Sequence, residues 1–146
     1  MKDFSITVSR DNVYEEVRKT TSFDGAKRDN DDGIYDRVMA TEDDSQVMAR
    51  SFDEAMQAAE SAFADIPYDV NTDDERWSVT LHVSNSFNEK AVQSINSDMF
   101  SFFCESILEK WYASALPDAS ARHGQLALGF LTDAARKIWF RAAPIP

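Results

Sequence analysis

A single cysteine, Cys104, rules out an intrachain disulfide. It stands among Phe102, Phe103 and Ile107, so it reads as a small buried hydrophobe rather than an exposed nucleophile. Two histidines, His82 and His123, are too few for a histidine-rich metal site, and both read as surface residues. Four glycines leave no room for a phosphate-binding loop. No apolar run approaches the roughly 18 residues of a membrane helix, and Met1-Lys2-Asp3-Phe4 lacks the apolar core of a signal peptide. The expectation is therefore a chain that stays off the membrane and is not exported by that route, in a bacterial-type cytosol or something assembled there.

Basic residues are scarce in one half. Residues 1–75 carry 20 acidic and 8 basic side chains, a net of −12, whereas residues 76–146 carry 6 and 7, a net of +1. Phosphate would be repelled by the acidic half, which argues against nucleic-acid binding by the bulk surface. A molecule with one acidic and one near-neutral end can associate head to tail with copies of itself; a plain solvated surface accounts for the split equally well.

What is abundant is apolar. A 43% hydrophobic content with ten Phe and three Trp supplies a sizeable core for one domain. The last third organises it. Ser86-Phe87-Asn88-Glu89 has the form of a capping box, and Val92, Ile95, Met99, Phe103, Ile107 and Trp111 recur at helical spacing. Phe100, Phe102, Cys104 and Leu108 widen that stripe until only Asp98, Ser101, Glu105 and Glu109 suit water, as in a central helix. Pro117 ends it, and a second helix follows with Phe130, Leu131, Ala134, Ala135 and Ile138 inward and Arg122, Gln125, Asp133 and Arg136 outward. The pair reads as an antiparallel hairpin, helices 87–116 and 118–141, with an extended tail at 142–146.

Upstream, Phe4, Ile6 and Val8 alternate with polar residues, as do Trp77, Val79, Leu81 and Val83, so strands are predicted at 3–9 and 76–84, paired with each other. Ser9 caps a predicted helix over 11–22 with Val13, Tyr14 and Val17 inward, and Phe23-Asp24-Gly25 closes it. Residues 24–33 read as a mobile acidic loop. Thr41 caps a helix over 42–65 with Val47, Met48, Phe52, Ala55, Met56, Ala59, Ala62, Phe63 and Ile66 inward, and residues 68–75 read as a polar connection. The predicted fold is α+β and predominantly helical: about four helices in a bundle, with the long C-terminal hairpin and a small antiparallel ribbon.

Chemistry-bearing patterns are thin. Asp69, Asn71 and Asp73 have the alternate spacing of a calcium loop, but Asp74 occupies the glycine position and Thr80 that of the bidentate glutamate. The adjacent carboxylates, such as Asp31-Asp32 and Asp43-Asp44, do not converge if they lie on a helix. No enzymatic activity, cofactor or metal is expected. The aromatic pairs Trp111-Tyr112 and Trp139-Phe140 end the two long helices, each with one ring turned outward beside core. The tail after Arg141 has the form of a segment that lies in a neighbour's groove.

Lys19-Thr20-Thr21-Ser22-Phe23-Asp24-Gly25-Ala26-Lys27, Tyr35-Asp36-Arg37, Thr41-Glu42-Asp43-Asp44, Phe102-Phe103, Lys110-Trp111-Tyr112 and Arg136-Lys137-Ile138-Trp139-Phe140-Arg141 with Pro144 follow in an order that resembles small proteins encoded among phage and prophage structural genes of gut bacteria. The resemblance implies a head-tail connector, neck or tail-completion subunit that self-associates, meets portal or tail subunits, and resides in a virion assembled in the host cytoplasm. Phe23, Lys27, Trp111, Tyr112, Trp139, Arg141 and Pro144 are the candidate interface. The alternatives are a cytosolic protein-binding adaptor or regulator, and a calcium-binding module on Asp69, Asn71 and Asp73.

Overall fold

The computed structural model describes residues 2–27, 40 and 44–139, with nothing stated of the side chains of 25–27. Strand β1 (Lys2–Ser9) leads into helix α1 (Arg10–Lys27); helix α2 (Ser45–Ala62), strands β2 (Tyr68–Val70) and β3 (Arg76–Val83), and helices α3 (Val92–Tyr112) and α4 (Pro117–Trp139) follow. The fold is α+β and mostly helical, with a three-stranded antiparallel sheet in the order β1-β3-β2.

The alternating patterns of β1 and β3 pair as expected, with Phe4 opposite Leu81, Ile6 opposite Val79 and Val8 opposite Trp77. All six are buried, because period-two alternation puts them on one face, and that face lies on the helices. The polar rungs Ser5–Thr80 and Thr7–Ser78 join the strands on the opposite face. The third strand was not anticipated: Tyr68–Val70, expected as a polar connection, pairs with Leu81, Thr80 and Val79. Three residues are too few to give an alternation signal.

The outer edge of β1 is covered by one side chain. Asn96 on α3 accepts from Thr7 N at 2.9 Å and donates to Ser5 O at 3.2 Å, as a neighbouring strand would. Asn96→Ala is expected to cost about 1–2 kcal/mol for the two bonds and to raise aggregation by opening the edge. Urea denaturation with light scattering reads both effects; an unchanged midpoint with no added scattering would show the edge needs no cover.

Helix α1 begins behind Ser9, whose Oγ accepts from Asn12 N, and buries Val13, Tyr14 and Val17 as predicted. It does not stop at 22 but passes Gly25 to Lys27, so the first residues of the expected loop are helical and the remainder, 28–33, lies outside the described residues. Buried Thr21 accepts from Ala40 N at 2.9 Å, which ties the returning chain to α1. Helix α2 runs over Ser45–Ala62 and ends short of the expected 65; Thr41 and residues 42–43, the expected cap and start, lie outside the described residues. Met48, Phe52, Ala55, Ala59 and Phe63 are buried, but Val47 is exposed. Arg10 joins α1 to α2, donating to Asp53 at 2.6 Å and stacking over Phe52.

Helix α3 is the axis of the molecule. Ile95, Met99, Phe102, Phe103, Cys104, Ile107, Leu108 and Tyr112 are all buried on it. Phe103 stands between Phe52 of α2 and Trp77 of β3, with ring centroids at 4.6 and 5.2 Å. The expected capping box at Ser86 does not form. Asn88 caps instead, accepting from Lys90 N at the start of a 3-10 turn, Glu89–Ala91, ahead of the α-helix. Phe87 is withdrawn from the helix to stack on Phe4 at 4.5 Å, and that packing displaces the cap by two residues.

Candidate interaction face

Helix α4 folds back antiparallel on α3 after the short connection 113–116, in which Leu116 N donates to Tyr112 O. The seam between them is more polar than the apolar stripe suggests. Glu109 O accepts from Ser120 Oγ at 2.6 Å, Glu105 pairs with His123 Nδ1, and Asp98 pairs with Lys137 Nζ at 2.6 Å. Asp98 and Glu105, expected to face water, thus pair with α4 through their carboxylates, and Glu109 meets it through its backbone carbonyl. Gly124 sits in this seam, where a Cβ would lie 2.8 Å from the Glu109 carboxyl carbon.

His123, expected at the surface, is buried at 7% exposure, with its ring 5.4 Å from that of Tyr112. Its Nε2 is buried and has no hydrogen-bond partner among the described residues. Tyr112 is also fully buried, and its hydroxyl donates to Asp24 of α1 at 2.6 Å, so it cannot serve as a surface anchor. Burial pushes the Cys104 thiol up to about 12, helped by the charges of Glu16 and Glu105, which leaves it an unreactive core residue at neutral pH.

Across the polar face of the sheet, His82 is held by both edge strands. Its Nδ1 lies 2.7 Å from Asp3 of β1 and its Nε2 2.9 Å from Asp69 of β2. The bond to Asp3, then that to Asp69, raises the imidazole above its ordinary value. A raised folded-state value means that this clasp stabilises fully below the unfolded value of about 6.5 and is lost as pH rises through the folded one. Asp3→Asn and Asp69→Asn should each lower the His82 titration midpoint measured by NMR. A midpoint at or below that of a free histidine would refute the clasp.

The remaining side chains of the calcium-like stretch are spoken for separately. Asn71 Nδ2 donates to Thr80, while Asp73 Oδ1 accepts from the amides of Glu75 at 2.8 Å and Arg76 at 2.9 Å. Those amides, Glu75 first, hold the Asp73 carboxyl below the usual range. Asp69, Asn71 and Asp73 therefore serve three different partners, and no metal-sized group of three or more His, Cys, Asp or Glu gathers among the described residues.

The candidate interface residues fall at two ends of the hairpin. At one end Phe23 is 62% exposed, and half-buried Trp111 borders a shallow depression with Val47, Met48 and Lys110. At the other end Trp139 is 60% exposed and, with Ile138, Ile66, Pro67, Val83 and Phe87, lines a pocket of about 240 Å³ beside the sheet. The side chain of Lys27, and all of Arg141 and Pro144, lie outside the described residues.

Between the ends lies a surface that the sequence reading missed. Ala119, His123, Ala127, Ala134 and Ile138 are the buried residues of α4, a narrow stripe on α3. Beside it Ala121, Leu128, Leu131, Thr132, Ala135 and Trp139 occupy an arc of about 100° that carries no charge. Leu128 is 66% exposed, the most open large apolar side chain among the described residues. A helical-wheel count of α4 alone contains this signal, since Leu128 is a full quarter-turn from the stripe.

No described helix is long and apolar enough to cross a membrane. Comparison of the chain with protein-family models, with curated proteins and with solved structures finds no match.

Proposed function

We propose that the protein is a non-enzymatic assembly subunit of the head-tail connector, neck or tail-completion kind that its sequence resembles. It acts by contacting copies of itself and neighbouring virion proteins such as portal or tail subunits. The observation that carries this reading is the uncharged outer face of α4, with Leu128 and Trp139 largely exposed on an otherwise charged molecule. The groups best suited to chemistry point the same way: Cys104 and His123 are packed in the interior, and His82 is clasped between two carboxylates. An adaptor that takes a partner segment in the pocket beside Trp139 is the second reading, favoured by the apolar lining of Ile66, Val83, Phe87 and Ile138.

Disrupting the gene in the phage or prophage that carries it, followed by electron microscopy of the particles, tests the first reading. Separate heads and tails, restored by the gene supplied in trans, are expected. Intact particles of normal yield would contradict it.

A further inference from the structure

The partner for the α4 face can be read from the charges that border it. Asp118 in the first turn and Arg136 near the last are 18 residues apart, five full turns, so they lie on one line about 27 Å long beside the uncharged arc. Both are exposed. Further out, Arg122 and Asp133 repeat the arrangement with opposite polarity. Each acidic residue thus has a basic counterpart at nearly the same distance on the other side of Ala127. A line of charge with that antisymmetry complements itself when a second helix runs the other way.

We propose that α4 pairs with α4 of a second copy, antiparallel, about a two-fold axis near Ala127. Asp118 then meets the partner's Arg136, and Arg136 meets the partner's Asp118. Leu128, the most exposed large apolar side chain among the described residues, falls beside the axis against the partner's Leu128. Trp139 reaches past the helix end to the partner's Ala115. Arg136 is free to turn to this task, since its contact within the chain, to exposed Asp133, is long at 3.7 Å. A single helix pair buries on the order of 1,000 Å², the low end for a specific interface, so the pair comes apart on dilution. A two-fold contact closes on itself; it makes pairs, and any ring requires a second surface. The pairing names one partner within the assembly reading and rests on that reading only for its purpose.

Sedimentation velocity of the whole chain across concentration, with circular dichroism to confirm folding, tests the proposal. The wild type should pass from monomer to dimer. Asp118→Arg and Arg136→Asp should each weaken the dimer about tenfold, as two attractive pairs become repulsive. Mixing the two variants should restore it, because both pairs become complementary in the heterodimer, as should combining them in one chain. Leu128→Asp should leave a folded monomer. A wild type that remains monomeric at every concentration, or a dimer indifferent to all these changes, would overturn the pairing. A monomer whose loss still separates heads from tails would leave the assembly reading intact, whereas a dimer whose loss leaves particles normal would sink only the latter.

Discussion

Phe103→Ala is expected to destabilise the protein by about 3–5 kcal/mol, the range for truncating a fully buried aromatic, and to loosen the packing of α2 and β3 on α3 at once. Phe103 is completely buried and touches the rings of Phe52, Trp77 and Phe102, which belong to α2, β3 and α3. No single neighbour can move to fill the space without breaking another contact, so the cavity term adds to the lost transfer energy. Phe103→Leu should recover roughly half of that loss, since only part of the volume is removed. Urea unfolding followed by circular dichroism measures both. A loss below about 1 kcal/mol for the alanine variant would mean that α3 is not the axis on which the other elements close.

Glu105→Ala should be nearly as damaging, by about 2–3 kcal/mol, the cost of stranding a buried polar partner. His123 is buried between α3 and α4, and among the described residues Glu105 is the only hydrogen-bond partner of its ring. Removing the carboxylate leaves both ring nitrogens without an acceptor or donor in the seam. The double variant Glu105→Leu with His123→Leu should be far less destabilised than the sum of the two single changes, because it removes the need together with the partner. A double-mutant cycle by urea denaturation gives this coupling directly. Additive losses would show that the two side chains do not bear on each other.

These two sites mark the division between what the sequence discloses and what it withholds. The position of Phe103 was legible, because a helix apolar around most of its girth has few places to go except the middle. The β1–β3 pairing was legible for a related reason: two eight-residue alternating strands have one register that buries every apolar residue. The polar seam was not. Asp98 and Glu105 stand on a ridge that looks solvated until α4 supplies Lys137 and His123 opposite, and nothing in the local pattern announces a partner that distant in the chain. His82 was assigned correctly to the polar face of its strand, yet its clasp depends on β2, which was too short to foresee. Tyr112 and Trp111 show the limit of adjacency: one of two neighbouring rings on a helix must turn inward, and which one depends on where α1 and α4 lie. The exposed face of α4 is hidden in the pattern because the spacing of Phe130, Leu131, Ala134, Ala135 and Ile138 reads as one inward stripe, whereas Leu131 and Ala135 lie only partly covered beside open Leu128.

Hydroxyl-radical footprinting of the dilute protein, resolved residue by residue, bears most directly on the claim that α4 closes on α3 by one side and keeps the other open. Leu128 and Trp139 should be modified readily, while Trp77, Phe103 and Tyr112 stay protected. Protection of Leu128 at dilution, or modification of Phe103 and Tyr112 at comparable rates, would contradict the account.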